Sequence, residues 1–322
     1  MKTPELSGKI LVTGGAGFIG SHLVDALASM SDTEIVVLDN LTHGSVGNVK
    51  QHLNAAGFEL VRGDVRDGDL VRRLIADVDY VFHLAALIEV QTSLKEPQLT
   101  DEINVQGTLN ILEAARDADV KRIVYASSCA VYGEPKFLPV SEEHPTAPLS
   151  PYGASKLAAE AYCIAYHHTY GLKTVALRYF NVYGPRQFRG PYSGVITIFL
   201  ERALQGKPLI IYGDGKQTRD FVYVKDVVDA CILAASKQTA IGHAINVGTG
   251  KETSIIELAD IIKRLTGASV PIKHDPPLKG DIRKSVSDTR KAERLLGYKP
   301  EFTLAKGLKE TYAWFKKQLK TE

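Results

Sequence analysis

The stretch KILVTGGAGFIGSH, residues 9–22, passes from a β-branched apolar run into a helical pattern through a turn crowded with glycine. Gly15, Gly17 and Gly20 satisfy the spacing G-x-G-x-x-G, while Gly14, Gly17 and Gly20 equally give glycines three apart. Both readings ask the same of the backbone: a tight turn, close approach to a pyrophosphate, and helix N-terminal N–H groups facing its negative charge. A plain structural turn is the alternative, and the context argues against it. Asp39 closes the next strand about 20 residues on, where a carboxylate can accept from both ribose hydroxyls of a dinucleotide. The expected cofactor contacts are therefore Gly14, Gly17, Phe18, Ile19 and Gly20 at the turn, with Asp39 and Asn40 at the ribose. Asp39 would repel a 2'-phosphate, and Asn40 and Leu41 offer no arginine to receive one, so NAD is favoured over NADP.

The rest of the first half repeats this strand-to-helix order. Residues 9–15, 34–40, 58–64, 79–86, 122–128 and 173–181 are short apolar runs suited to buried parallel strands. Between them, 18–30, 67–76, 98–118 and 151–170 have the periodicity and length of crossover helices. The expected fold class is α/β, a doubly wound parallel sheet of the Rossmann kind with helices on both faces. In GDVRD (63–67), Asp64 and Val65 could hold the adenine, and Asp67 could equally cap a helix. In HLAA (83–86), Leu84, Ala85 and Ala86 leave room for a cofactor, and His83 reads as a packed strand residue.

From residue 182 glycine, proline and aromatic residues crowd the chain, and 208–224 reads as loops and short strands. Residues 226–236 return to helix, 244–248 could rejoin the sheet, and helices near 254–266, 288–296 and 304–319 suit a smaller C-terminal lobe of noncontiguous pieces. The expected division is residues 1–181 with about 219–248 for the NAD-binding domain, and about 182–218 with 249–322 for the second lobe.

Composition removes several function classes. A formal charge of +2 and only short basic runs give no reason to expect a nucleic-acid partner. No stretch of about 18 apolar residues suits a membrane span, and MKTPELSGK lacks the apolar run of a signal peptide. Cys129, Cys163 and Cys231 have neither CxxC spacing nor histidine neighbours, which argues against disulfides or a metal site and suits a reducing, cytoplasmic location.

SPYGASK (150–156) is the second chemical signal. Ser150 reads as an N-cap and Pro151 as the first helical residue, so Tyr152 and Lys156, four apart, share a helical face. A neighbouring ammonium stabilises phenolate and lowers a tyrosine from its usual value of about 10. Such pairs are common on exposed helices, so spacing by itself does not make this one catalytic.

Together TGGAGFIGSH, GDVRD, HLAA, SSCAVYG, YGASK, RYFNVYGPRQ and RDFVYVKDV resemble the extended short-chain dehydrogenase/reductase family, and within it the UDP-sugar 4-epimerases. The resemblance runs from about residue 8 to at least 290. It implies that Tyr152 is the catalytic base, that Lys156 lowers its pKa and binds the nicotinamide ribose, and that Ser128 bonds the reacting hydroxyl. Ser127 is the neighbour most easily confused with Ser128. Asn104 and Tyr179 are further expected cofactor contacts. The implied reaction is a reversible oxidation at sugar C4 to a 4-keto sugar and NADH, followed by reduction from the other face, so that NAD is regenerated. Related dehydratases and decarboxylases carry acids after the catalytic serine or threonine, where this chain has Cys129 and Ala130, so those reactions are disfavoured.

For the UDP-sugar substrate the resemblance implies contacts from Asn181, Val195, Ile196, Tyr212, Arg219, Asp281 and Ser285, in addition to Ser128 and Tyr152. Arg219 suits a diphosphate clamp, and an ion pair with Asp220 or Asp226 is its ordinary alternative. Leu278 stands where the family often has arginine, leaving Lys279 or Arg283 to complete the clamp. Ser285 is small where a bulky tyrosine narrows the pocket of other epimerases, which leaves room for a 2-acetamido group. A UDP-glucuronate 4-epimerase would need a cation, Arg186 or Arg189, for the sugar carboxylate. A reductase of the same fold and an NAD-sensing binding protein are the other classes. A homodimer is expected through 98–118 and 151–170, where Ala154, Ala158, Ala159 and Ala161 could serve either close helix approach or packing on the sheet.

Overall fold

The computed structural model describes residues 4–187, 193–277 and 282–318. Among these, seven parallel strands form the central sheet: β1 (Gly8–Thr13), β2 (Thr33–Asp39), β3 (Phe58–Arg62), β4 (Tyr80–His83), β5 (Arg122–Ser128), β6 (Thr174–Tyr179) and β7 (Ala244–Val247). Their order is β7-β6-β5-β4-β1-β2-β3, so the 244–248 segment does rejoin the sheet. The order reverses between β1 and β4, and a crevice opens there, beyond the strand ends.

Alternation along each strand builds a core on either face. Ile10 and Val12 pack against α1 (Phe18–Ala28) through Leu23, Val24 and Leu27. Leu11 and Leu38 pack on the other side against Val71 of α2 (Gly68–Ile75) and Ile111 and Leu112 of α3 (Gly107–Asp117). The long α4 (Pro151–Tyr170) starts as its sequence dictates: Ser150 Oγ accepts from the Gly153 N–H at 3.1 Å, Pro151 needs no partner at N1, and Gly171 ends the helix at φ 73°. Ala159 is buried against the sheet, whereas Ala154 and Ala161 are exposed.

Two features depart from expectation. The single helix expected over 98–118 is Pro97–Asp101 and α3 joined by a π-helical turn, Glu102–Gln106, which contains Asn104. A helix α5 (Val195–Leu204) lies between the glycine- and proline-rich stretch and the loops and short strands that follow, where no element was expected, and its Phe199 and Leu200 face the core of the C-terminal lobe. That core also takes Val224 from α6 (Val224–Ser236), Leu258 and Ile262 from α7 (Ile255–Thr266) and Leu308 and Phe315 from α8 (Leu304–Gln318). Short strand pairs, 181–183 with 221–223, 218–219 with 253–254 and 209–212 with 272–275, form separate two-stranded sheets. No helix among the described residues is long and apolar enough to cross a membrane, and none of their His, Cys, Asp and Glu side chains form a group that could hold a metal.

Candidate active site

A cavity of about 600 Å³ occupies the crevice at the order reversal, within the range of small-molecule sites. One wall is the glycine turn, with Gly14, Gly17, Phe18, Ile19 and Gly20. The α1 N-cap, Gly17, has no side chain to accept from the first-turn N–H groups, which suits an anion there. A Cβ on Gly20 would stand 2.1 Å from the Gly14 carbonyl oxygen and 2.7 Å from Gly15 Cα. Gly20→Ala should therefore displace the turn and release most of the bound dinucleotide, measured by chromatography of the nucleotides freed on denaturation.

Asp39, Asn40, Asp64 and Val65 line the end beyond β2 and β3. Asp39 Oδ1 accepts from the Leu41 N–H at 2.8 Å and Oδ2 from the Ala16 N–H at 3.0 Å, which leaves each oxygen able to accept again. Burial raises its pKa, and these backbone bonds oppose the rise. Gly44 closes over it, since a Cβ there would lie 2.7 Å from Oδ1. The sequence reading missed Gly44; its signal was a lone glycine in a loop facing the acid. Asp64 is held down to about 2, first by hydrogen bonding to Arg66, and also accepts from Asn40 Nδ2 at 3.1 Å. Asp67 caps α2 through the Leu70 N–H at 3.0 Å, so Asp64 and Asp67 play separate parts. This donor and acceptor set fits NAD.

Leu84, Ala85 and Ala86 form the floor beyond β4, and Tyr152, Lys156 and Tyr179 the far end. His83 is indeed packed, between Thr13 Oγ1 at 2.7 Å and Thr108 Oγ1 at 3.0 Å, and burial pushes it down to about 3. Asn104 braces the floor: its amide accepts from the Leu87 N–H at 2.7 Å and donates to the Leu87 carbonyl at 3.0 Å and to Ser155 Oγ at 2.9 Å.

Strand alternation separates the two serines. Ser127 Oγ donates to the buried Glu160 Oε2 at 2.6 Å although Ser127 also lines the cavity, and Ser128, which is not among the lining residues, hydrogen-bonds with the Tyr152 phenol. Burial pushes the phenol up to about 12, against which the Ser128 bond acts. Lys156 is itself pushed down to about 7 by burial, and its Nζ donates to the Ala126 carbonyl at 2.7 Å.

The described residues expected on the substrate side, Asn181, Val195, Ile196, Tyr212, Arg219 and Ser285, are not among those lining this cavity. The Asn181 N–H donates to the Asp220 carbonyl at 3.0 Å. Val195 and Ile196 open α5, but Ile196 is buried in the lobe core, and Ser193 and Gly194 reach the cavity instead. Tyr212 is exposed at a strand end. Arg219 Nη1 donates to the Thr218 and Ile282 carbonyls, both at 2.7 Å. The carboxylates weighed as its partners are engaged elsewhere: Asp220 accepts from Thr249 and Ser287, Asp226 from the Glu301 and Phe302 N–H groups. Ser285 is buried, its N–H 3.2 Å from the Thr218 carbonyl. Arg283 makes a two-point pair with Asp214, at 2.7 and 2.8 Å, and Arg186 pairs with Asp25 at 2.7 Å. Arg189, Leu278, Lys279 and Asp281 lie outside the described residues.

The sequence profile of the NAD dependent epimerase/dehydratase family matches residues 10–248. A UDP-glucose 4-epimerase of Mycolicibacterium smegmatis is 42% identical over 311 residues, which cover 96% of this chain and 98% of that one. The crystal structure of UDP-glucose 4-epimerase with UDP-glucose from Thermotoga maritima matches with a TM-score of 0.92 at 40% identity, covering 97% and 99% of the two chains. A UDP-N-acetylglucosamine 4-epimerase from Methanobrevibacter ruminantium, in complex with UDP-N-acetylmuramic acid, matches at 0.93 and 39% identity over 97% and 99%. With the glycine turn, Asp39 and the Tyr152–Lys156 pair around one cavity, and a match spanning most of its length, the chain belongs to the NAD dependent epimerase/dehydratase family.

Proposed function

We propose that this protein interconverts the C4 epimers of a UDP-hexose, UDP-glucose with UDP-galactose and also the N-acetylated pair. The observation that carries the reading is Tyr152 and Lys156 at the cavity end, with Ser128 hydrogen-bonded to the Tyr152 phenol and followed in the chain by Cys129 and Ala130 where an eliminating enzyme needs an acid. When bound, NAD supplies a reversible two-electron acceptor at C4. Tyr152 takes the proton of the 4-hydroxyl and later returns it, Ser128 holds that oxygen, and Lys156 stabilises the ionised phenol. Asp39 and the glycine turn keep the dinucleotide in place through both halves of the reaction, so none need be added. Arg219 and Asn181 serve the nucleotide-diphosphate side. Exposed Leu94 and Tyr162, beside the exposed alanines of α4, support pairing of two copies.

The test is to incubate the purified protein, without added NAD, with UDP-galactose and with UDP-N-acetylgalactosamine, following the anomeric NMR signals. Conversion to the gluco epimers is expected for both. No conversion of either, with NAD then supplied, overturns the reading and moves UDP-glucuronate to the front. Ser285→Tyr should slow the acetylated sugar more than the plain one, because Ser285 stands on the buried segment beside Thr218. Equal slowing of both would sink the assignment of Ser285 to the acetamido pocket.

A further inference from the structure

An ammonium taken out of water needs something to replace its hydration. On the surface of this protein lysines pair with carboxylates while keeping access to water: Lys9 with Asp77, Lys121 with Asp79 and Lys225 with Glu310. Lys156 is arranged differently. It is 4% exposed, donates to one backbone carbonyl, Ala126, and stands 4.9 Å from the centre of the Tyr125 ring.

The titratable groups around it carry no negative charge that is not already balanced. On its own helix, Glu160 is bound by Arg178 and Ser127, and burial keeps the Tyr152 phenol and the Cys163 thiol protonated. From β4, His83 is neutral, and from β6 Arg178 is committed to Glu160. From β5 comes Tyr125. Its hydroxyl is buried and, among the described residues, has no hydrogen-bond partner, so its polar end makes no bond that would fix the ring. Its ring lies within the distance at which an aromatic face attracts a cation, and that attraction strengthens where water is excluded.

We propose that the face of Tyr125 takes the place of a carboxylate and holds Lys156 in its charged form, which makes Tyr125 a positioning residue for the catalytic pair. The proposal rests on the proposed function only in giving that charge a use.

The test reads Lys156 directly, by ¹³C/¹⁵N NMR titration of lysine-labelled, NAD-loaded protein, with the signal assigned by its loss in Lys156→Met. Tyr125→Leu removes the ring and should move the titration down by about one pH unit, as expected for a desolvated cation–π contact. Tyr125→Phe keeps the face and should leave the titration in place. Trifluorophenylalanine at position 125 keeps the shape while weakening the face, and should shift the titration in the same direction as leucine; it serves where Tyr125→Leu does not fold. The limb of sugar conversion near neutral pH should move with the titration. An unmoved titration with both the leucine and the fluorinated ring, or an equal shift with phenylalanine, overturns the proposal. A shifted titration in a protein that converts no UDP-hexose leaves Tyr125 its role and rejects the proposed function.

Discussion

Tyr152→Phe is expected to slow sugar interconversion by about 100- to 10,000-fold, the usual worth of a positioned acid or base. The substitution removes one oxygen and leaves the ring in the cavity wall, so bound NAD should stay within a factor of two or so of its original content. That separation is what makes the test sharp. If the loss of rate came with loss of cofactor, Tyr152 would be a wall residue and the proton would move elsewhere. Ser128→Ala should cost less, because it removes a hydrogen bond to the phenol and not the group that exchanges the proton.

The same pair fixes the sign of the pH dependence. Activity needs Tyr152 ionised and Lys156 charged, with values of about 12 and about 7 in this structure. Below about pH 7 the ammonium is complete and phenolate grows about tenfold per pH unit, so the rate should climb. Above that limb Lys156 loses its proton as fast as Tyr152 does, and the product of the two populations levels off. A steady-state profile of kcat against pH checks this. A rate that falls between pH 5 and 7 as the pH is raised would contradict both roles.

Much of this site was legible in the sequence, for physical reasons that also mark where legibility stops. Ser150, Pro151 and Gly171 define α4 because each relieves a specific difficulty at a helix end, and the glycine turn is forced by close backbone approach. Such signals are local. Helix α5 was missed because Val195, Ile196 and Thr197 are β-branched and follow a glycine- and proline-rich stretch, and the apolar face becomes evident only against Leu258 and Phe315. The π-turn at Asn104 adds a residue to one helical turn without disturbing the surrounding apolar pattern, so periodicity ran through it. Tyr125 was invisible for a different reason. Its partner Lys156 comes from another element, and β5 read only as a buried strand. Ile196 is buried in the lobe core, while Ser193 and Gly194 before it line the cavity.

Arg178→Met should be the most destabilising of these changes, by about 3–5 kcal/mol, because it breaks a buried ion pair from one side. Arg178 and Glu160 have side chains only 8% and 5% exposed, and Arg178 Nε lies 3.0 Å from Glu160 Oε2. Arg178 Nη1 also donates to the Tyr132 hydroxyl at 2.8 Å, which in turn donates to Asn246 Oδ1 at 2.6 Å. Without the guanidinium, Glu160 keeps the Ser127 hydroxyl but no positive charge, and its carboxyl will take up a proton on folding. A group whose folded pKa is raised favours folding at lower pH, so the deficit of Arg178→Met should shrink as the pH falls toward the ordinary carboxyl range. Glu160→Leu strands the guanidinium instead, which stays charged, so its deficit should not recover in this way. Combining the two removes both charges, and the double variant should be more stable than the sum of the single losses by about 2 kcal/mol or more. Urea unfolding of all four proteins at two pH values measures this, provided the slope with denaturant stays constant. Additive losses, or losses equal at both pH values, would mean that the pair is solvated and that Ser127, next to the catalytic serine, is not held by a buried charge network.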